Sequence, residues 1–373
     1  MKNYLSTTTA LAAAGTVVLA SSVAMAQSAP EKIKLGLAGS FKSTIGYAEQ
    51  EGAFEDAVNA HYGTINMEND SEVHFKGSTS LDNGMRVDVI VQLETDQASA
   101  NTGSVIDETY LKLTGGFGDL RLGSTHAATN KLANTVPQSG MKDIDGDDYQ
   151  DYVVNPTGTD MQDDNIGTSD HMKIVYFTPK FNGFQAGATY TPSTSNSDSP
   201  PITGGASSGT SADQYWFDFG LAYSNTFGDV SLDADVSTWR KGGSVDQEGY
   251  RFGAVVGMAG FTVGGTYADV ENEIDGITST TAVSDYEVYG AGVTYASGPW
   301  EVGVSYYHSK TPLQASVAGA DEATHIKVAG TYDIGPGVQV GADIVSAEYE
   351  DETTAAGSNN EGWAVIAGIK VSF

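Results

Sequence analysis

The chain has 373 residues, of which 48 are acidic and 18 are basic, so its formal net charge is −30, and it has no cysteine. This excess of negative charge argues against nucleic-acid binding, because the phosphate backbone selects basic surfaces. Without cysteine, the fold cannot depend on disulfides.

The first 26 residues have the pattern of a secretory signal peptide. Lys2 supplies a positive start, an apolar run begins at Ala10, and Ala24, Met25 and Ala26 form an A-x-A cleavage site. We expect this segment to be removed, so that the mature protein begins at Gln27. After it, no stretch approaches the ~18 apolar residues that a membrane-spanning helix needs.

From residue 32 onward, apolar and polar residues alternate along many short segments. In "GMRVDVIVQLET", Val87, Val89 and Val91 lie on one face, and Arg86 and Asp88 lie on the other. A period of two is typical of strands with one apolar and one polar face. The pattern predicts sixteen strands, near 32–50, 70–80, 84–96, 105–114, 120–125, 171–180, 184–191, 213–227, 230–239, 248–258, 261–270, 284–296, 300–309, 321–333, 338–349 and 361–373.

The connections between these strands sort into two kinds. Seven are tight turns rich in Gly, Asn and Asp, such as "LDNG" at 81–84, and eight are long polar loops. A soluble sandwich or propeller does not require this sorting, whereas a transmembrane barrel has short turns at one end and long loops at the other. Five aromatic residues stand where the apolar faces would meet the membrane interfaces: Tyr110, Tyr190, Phe227, Trp300 and Tyr306. The sequence therefore predicts an all-β protein, a 16-stranded antiparallel transmembrane β-barrel formed by residues 27–373.

The closing segment "GWAVIAGIKVSF", ending in Phe373, makes a family resemblance specific. This segment, the opening "IKLGLAGSFKSTIGY" and the hairpin "VIDETYLKLTGGFGDLRLGST" resemble the general bacterial porins of Gram-negative outer membranes, most closely the alphaproteobacterial type. The resemblance implies a homotrimer in the outer membrane, in contact with its lipids and lipopolysaccharide. It also implies that the barrel-assembly machinery reads Phe373 as an assembly signal.

The resemblance further implies that the third outer loop folds into the lumen and narrows it. Here that loop, residues 126–170 (loop 3), is the longest connection. It carries the expected acidic side of a constriction: Asp143, Asp145, Asp147, Asp148, Asp151, Asp160, Asp163 and Asp164. Alternation places six basic residues on the lumen face of the first five strands, as the opposing wall: Lys34, Lys42, Lys76, Arg86, Lys112 and Arg121. Any one of them could instead be a solvated charge near a mouth of the barrel.

Within loop 3, "DIDGDDYQD" also has the spacing of a calcium loop. The metal ligands would be the carboxylates of Asp143, Asp145, Asp147 and Asp151, with the backbone carbonyl of Tyr149 between them. Asp148 stands where related loops often have glycine, which weakens the match. The alternative is an acidic pore lining without a fixed metal.

The sequence gives little support to catalysis. The only G-x-S-x-G, at 205–209, lies in a Ser/Gly/Pro-rich loop and not at a strand-to-helix turn, and the six histidines are scattered. We therefore expect a passive diffusion channel for small hydrophilic solutes and ions that prefers cations and requires no cofactor. The alternatives are a calcium-dependent structural or adhesive barrel and a substrate-specific channel.

Overall fold

A computed structural model describes residues 32–60, 62–94, 106–145, 148–157, 168–193, 215–242, 246–273, 285–312, 319–353, 355 and 357–373. The predicted signal peptide lies outside these residues. The described chain forms sixteen strands: β1 (Lys34–Gln50), β2 (Ile65–Ser80), β3 (Arg86–Glu94), β4 (Ile106–Gly115), β5 (Gly118–Ser124), β6 (Met172–Phe177), β7 (Phe184–Thr191), β8 (Tyr215–Phe227), β9 (Val230–Gly242), β10 (Asp246–Met258), β11 (Phe261–Glu273), β12 (Tyr286–Ser297), β13 (Trp300–Thr311), β14 (Asp321–Gly335), β15 (Val338–Glu350) and β16 (Asn360–Ser372).

These strands form one closed antiparallel barrel. Each strand pairs with its neighbours in sequence, and β1 pairs with β16 from Ser40↔Ser372 to Gln50↔Gly362. Closure leaves no strand edge with unpaired backbone groups facing the membrane, which is the condition for crossing it with strands. The predicted fold is confirmed, and so are the strand count and most strand boundaries.

The barrel wall has the polarity that the alternation predicts. Large apolar side chains point outward and are exposed, as in Leu35, which is 87% exposed, whereas the polar residues between them point into the lumen. Tyr110 is the exception to the predicted aromatic belt, because it faces inward. It pairs with the buried Ile90 on β3 and lies 5.8 Å beneath the guanidinium of Arg121.

The connection between β1 and β2 differs from the prediction. It contains a short helix, α1 (Gly52–Val58), whose Phe54 is buried against Tyr62, and β2 begins at Ile65 instead of residue 70. The alternation does extend through "INMEND", with Ile65 and Met67 outward. Because four of these six residues are polar, the segment resembles a loop in sequence.

The buried core of the protein lies inside the barrel, where loop 3 packs against the wall. Loop 3 begins with a second short helix, α2 (Ala128–Leu132), and its side chains Ile144, Tyr149 and Val153 are fully buried. The inward fold of loop 3 that the family resemblance predicts is therefore observed.

None of the helices in the described part of the chain is long and apolar enough to cross a membrane.

Candidate pore constriction

The first part of loop 3 is fixed to strands β7 to β10 by hydrogen bonds to its backbone. The Ala128 amide donates to Thr189 Oγ1 at 2.7 Å, and the Thr129 amide donates to Asp218 Oδ1 at 3.2 Å. Further along, the Asn134 amide donates to Asp235 Oδ1 at 2.7 Å. Lumen-facing side chains thus replace the partners that an irregular backbone lacks.

The middle of loop 3 continues along β13, β14 and β15. Asp343 accepts the backbone amides of Met141 and Lys142 at 2.8 and 2.9 Å. Gly140 precedes them with a φ of +111°, and a Cβ there would lie 2.7 Å from Ala329 Cβ. Only glycine allows the loop backbone to come this close to the wall in this conformation.

The last described part of the loop before residue 158 reaches β16, β1 and β2. Asn360 Nδ2 donates to the Val154 carbonyl at 2.7 Å, and Asn66 Nδ2 donates to the Asp151 carbonyl at 2.9 Å. Loop 3 therefore follows the inner wall from β7 through β16 to β2. At its start, loop 3 also contacts β4, where Glu108 accepts the His126 amide at 2.9 Å.

A fully buried ion pair between β9 and β10 binds the backbone of loop 3 at Asn134. Arg251 Nη1 on β10 donates to Asp235 Oδ2 at 2.5 Å, and neither side chain is exposed. The same arginine donates through Nη2 to the Asn134 carbonyl at 2.7 Å. One pair thus binds both the amide and the carbonyl of Asn134.

The predicted acidic residues of loop 3 occupy different environments. Asp143 and Asp145 line a cavity of about 610 Å³ in the lumen, and Asp148 is buried behind them. Asp151 is exposed. Asp147, Asp160, Asp163 and Asp164 lie outside the described residues.

Burial is the main influence on the pKa of the Asp148 carboxyl. Burial raises the pKa of Asp148 to about 7, with Asp143 adding to the effect, whereas Lys142 and Lys42 oppose it. Burial acts to lower the pKa of Lys142, but Asp148 and Glu68 together hold it above its ordinary value. Asp148 and Lys142 therefore form part of a buried charge network, while Asp143 and Asp145 face the water of the cavity.

The predicted basic wall carries its own carboxylates. Asp88 lies between Arg86, 3.0 Å away, and Lys76, 3.8 Å away. Asp119 likewise contacts Lys112 at 2.9 Å and Arg121 at 3.3 Å. Four of the six predicted residues thus form two compact groups on β2 to β5, each with one carboxylate.

The other two predicted basic residues lie apart from these groups. Lys42 pairs with Asp70 at 3.1 Å and lines the cavity with Asp143 and Asp145. Lys34 is exposed at the start of β1, at the end of the barrel with the short turns. Lys34 therefore lies near a mouth of the barrel and not beside loop 3.

Sequence reasoning missed several basic residues of the lumen. Lys131 and Lys370 line the same cavity as Lys42, where three lysines stand among five carboxylates: Asp70, Asp143, Asp145, Asp233 and Glu301. The alternation in "GWAVIAGIKVSF" does place Lys370 inward, opposite Lys42. Lys370 lies on the last strand, outside the first five strands that contain the six predicted basic residues.

The predicted calcium ligands do not form a compact set where the structure describes them. The Tyr149 carbonyl already accepts the amides of Tyr152 at 2.9 Å and Val153 at 2.8 Å, which occupies both of its lone pairs. Three clusters in the described ranges bring carboxylate or histidine ligand atoms within 4.8 Å of one another, and none contains Asp143, Asp145 or Asp151. Calcium binding by loop 3 stays a prediction.

A closed barrel of sixteen strands with an inward-folded third loop and a charged, water-accessible lumen defines an outer-membrane channel of the porin class. The sequence agrees with the architecture: the model of the Gram-negative porin family matches residues 7–352. The chain belongs to this family. No curated protein sequence matches it.

Solved structures show the same fold at low sequence identity. The anion-selective porin from Comamonas acidovorans is 18% identical to this chain, with a TM-score of 0.64. The match covers 92% of this chain and 100% of the Comamonas chain. The trimer form of OmpT from Vibrio cholerae is 10% identical with a TM-score of 0.61, over 92% and 100% of the two chains. A mutant of the Rh. blastica porin is 15% identical with a TM-score of 0.55, over 91% and 100%.

Proposed function

We propose that the protein is a passive diffusion channel for small hydrophilic solutes and ions that prefers cations. The observation that carries this proposal is the distribution of charge around the lumen cavity, where carboxylates outnumber lysines and loop 3 contributes Asp143 and Asp145. A narrow pore with low-dielectric walls and mainly one sign of charge concentrates the opposite ion. On the facing wall, Asp88 and Asp119 offset part of the basic charge.

The mature channel on this proposal begins at Gln27 and assembles as a homotrimer in the outer membrane. The trimer form of the Vibrio cholerae OmpT structure supports this assembly, and the outward apolar wall suits contact with lipid and lipopolysaccharide. Transport through a water-filled pore requires no cofactor. If calcium does bind loop 3, it would offset part of the acidic charge and weaken the preference.

Neutralising the two cavity-facing acids of loop 3 is expected to reduce cation selectivity. The double variant Asp143→Asn/Asp145→Asn removes two negative charges from the cavity lining without changing side-chain size. The double variant Arg86→Gln/Arg121→Gln removes two positive charges and should increase cation selectivity. The measurement is the zero-current potential in planar bilayers under a potassium chloride gradient. The difference in zero-current potential between each variant and the unaltered protein should shrink near 1 M salt, where the Debye length falls to about 3 Å.

The control is Asp229→Asn, which removes one charge in the short turn between β8 and β9, far from loop 3. An anion-selective potential for the unaltered protein at low salt would contradict the proposal and show that the basic wall controls the pore, as in an anion-selective porin. Saturable competition between solutes would favour a substrate-specific channel. The absence of any stable open level would favour a structural barrel.

A further inference from the structure

Three carboxylates meet at the long-loop end of the barrel, far along the sequence from loop 3. Asp321 is the first residue of β14, and Asp351 and Glu352 directly follow β15. One ligand oxygen from each lies within 4.8 Å of the others. Two separate connections of the barrel thus contribute to one small cluster, which borders a cavity of about 460 Å³.

Asp321 and the carboxylate oxygens of Glu352 are shielded from water, unlike an ordinary acidic surface, whereas Asp351 is half-buried. Asp321 is only 1% exposed, and both carboxylate oxygens of Glu352 are buried without a hydrogen-bond partner. Thr311 lies directly across from Asp321 on β13, is fully buried, and its Oγ1 also lacks a partner. Buried oxygens with no donor are costly, so this arrangement requires a cation or a shared proton.

The basic side chain that borders the same cavity is already engaged. Lys310 pairs with Glu322 at 3.1 Å, and both residues belong to the outward-facing register of their strands. Asp321 belongs to the inward-facing register of β14, and Asp351 directly follows the last residue of β15. Lys310 therefore neutralises Glu322 and leaves the cluster with its own negative charge.

The backbone around the cluster holds the carboxylates close together. The Glu352 amide donates to Asp321 Oδ1 at 3.1 Å, and the Thr353 amide donates to Asp351 Oδ1 at 2.6 Å. Gly319 has a φ of +136°, and a Cβ there would lie 2.9 Å from Glu352 Cβ. The segment before β14 and the segment after β15 are thus in direct contact at the cluster.

We propose that Asp321, Asp351 and Glu352 bind a calcium ion, with the Thr311 hydroxyl as an additional oxygen ligand. Calcium takes several oxygen ligands at about 2.3–2.6 Å, so two oxygens on one ion lie no more than about 5 Å apart. The spacing of this cluster meets that limit. The ion would join the connection before β14 to the connection after β15 at the outer end of the barrel. This site is separate from the calcium loop that the sequence predicts in loop 3.

Calorimetric titration of the purified full-length protein in detergent with calcium chloride tests the site. Glu352→Gln keeps the size of the side chain and removes its charge, so calcium affinity should fall at least about tenfold, the scale on which metal-site changes act. Thr311→Val should weaken binding less. The matched control Glu348→Gln removes a charge from an exposed, outward-facing position on β15 that does not line the cavity, so it should leave the affinity unchanged.

A second comparison separates this site from loop 3. Asp145→Asn should leave the calcium isotherm intact if the ion binds at Asp321, Asp351 and Glu352. An isotherm unchanged by Glu352→Gln would overturn the proposal, and so would the absence of calcium binding by the unaltered protein. Circular dichroism and heat-modifiable gel mobility verify that each variant is folded. Limited proteolysis gives an independent measure, because calcium should protect residues 351–359 in the unaltered protein and not in Glu352→Gln.

Discussion

Replacing Asp235 with alanine is expected to destabilise the folded barrel by about 3–5 kcal/mol, the usual cost of leaving one member of a buried ion pair without its partner. Both Asp235 and Arg251 have fully buried side chains, and their charged atoms are 2.5 Å apart. The guanidinium of Arg251 would lose its carboxylate partner while it stays away from water. Reversible urea unfolding, followed by tryptophan fluorescence in lipid vesicles, measures the change in free energy.

The same substitution should loosen loop 3, because Asp235 also accepts the Asn134 amide and side chain at 2.7 and 3.0 Å. Single-channel recordings are therefore expected to show additional conductance levels, as the loop leaves the wall and returns. Asp235→Asn retains an acceptor for Asn134 and loses only the charge. Asp235→Asn should therefore destabilise the barrel but produce fewer additional conductance levels than Asp235→Ala.

Asp233→Ala is the matched control for this prediction. Asp233 lies two residues earlier on the same strand and face, and it lines the open cavity instead of a buried pair. Removing it should change selectivity with little loss of stability. Equal unfolding free energies for Asp233→Ala and Asp235→Ala would show that the buried pair does not secure loop 3.

The strand framework was accessible from the sequence because its physical signal is local and repeated. An inward polar residue and an outward apolar residue alternate at each step, so even Lys370 on the last strand could be placed on the lumen face. The path of loop 3 has no such signal. Its contact with Asp343 joins residues 202 positions apart, and no periodicity links Met141 to that strand.

The acidic run of loop 3 shows a second limit of sequence reasoning. Asp143 and Asp148 are five residues apart and chemically identical, yet Asp143 lines the water-filled cavity and Asp148 is buried between lysines. Spacing predicted a shared calcium role for several of these aspartates. Spacing does not report burial, which is the property that separates Asp148 from the cavity-lining Asp143.

The cluster of Asp321, Asp351 and Glu352 could not be found by a motif. Its members belong to the beginning of one strand and the end of the next, and only the pairing of β14 with β15 brings them together. The sequence contains many carboxylates, so proximity alone would not select these three. Burial of the Glu352 oxygens is the property that distinguishes them.

Deleting Phe373 is expected to prevent most of the protein from assembling in the outer membrane. The terminal residue closes the barrel: its amide donates to the Gly39 carbonyl at 3.0 Å, and its carbonyl accepts the Gly39 amide at 2.9 Å. Its ring lies over Gly39, since a Cβ at that glycine would be 2.8 Å from Phe373 Cζ. The ring itself is 61% exposed on the outside of the barrel.

Two further variants separate the backbone contribution of Phe373 from that of its side chain. Phe373→Ala keeps both hydrogen bonds to Gly39 and loses only the ring, whereas Phe373→Tyr keeps an aromatic ring. If the assembly machinery reads the exposed ring, Phe373→Ala should assemble poorly in cells and still refold in detergent, and Phe373→Tyr should assemble well in both. Heat-modifiable mobility on gels measures the folded fraction in each case. Normal assembly of Phe373→Ala in cells would instead assign the effect of the deletion to the two lost hydrogen bonds, because the ring would then have no part in recognition.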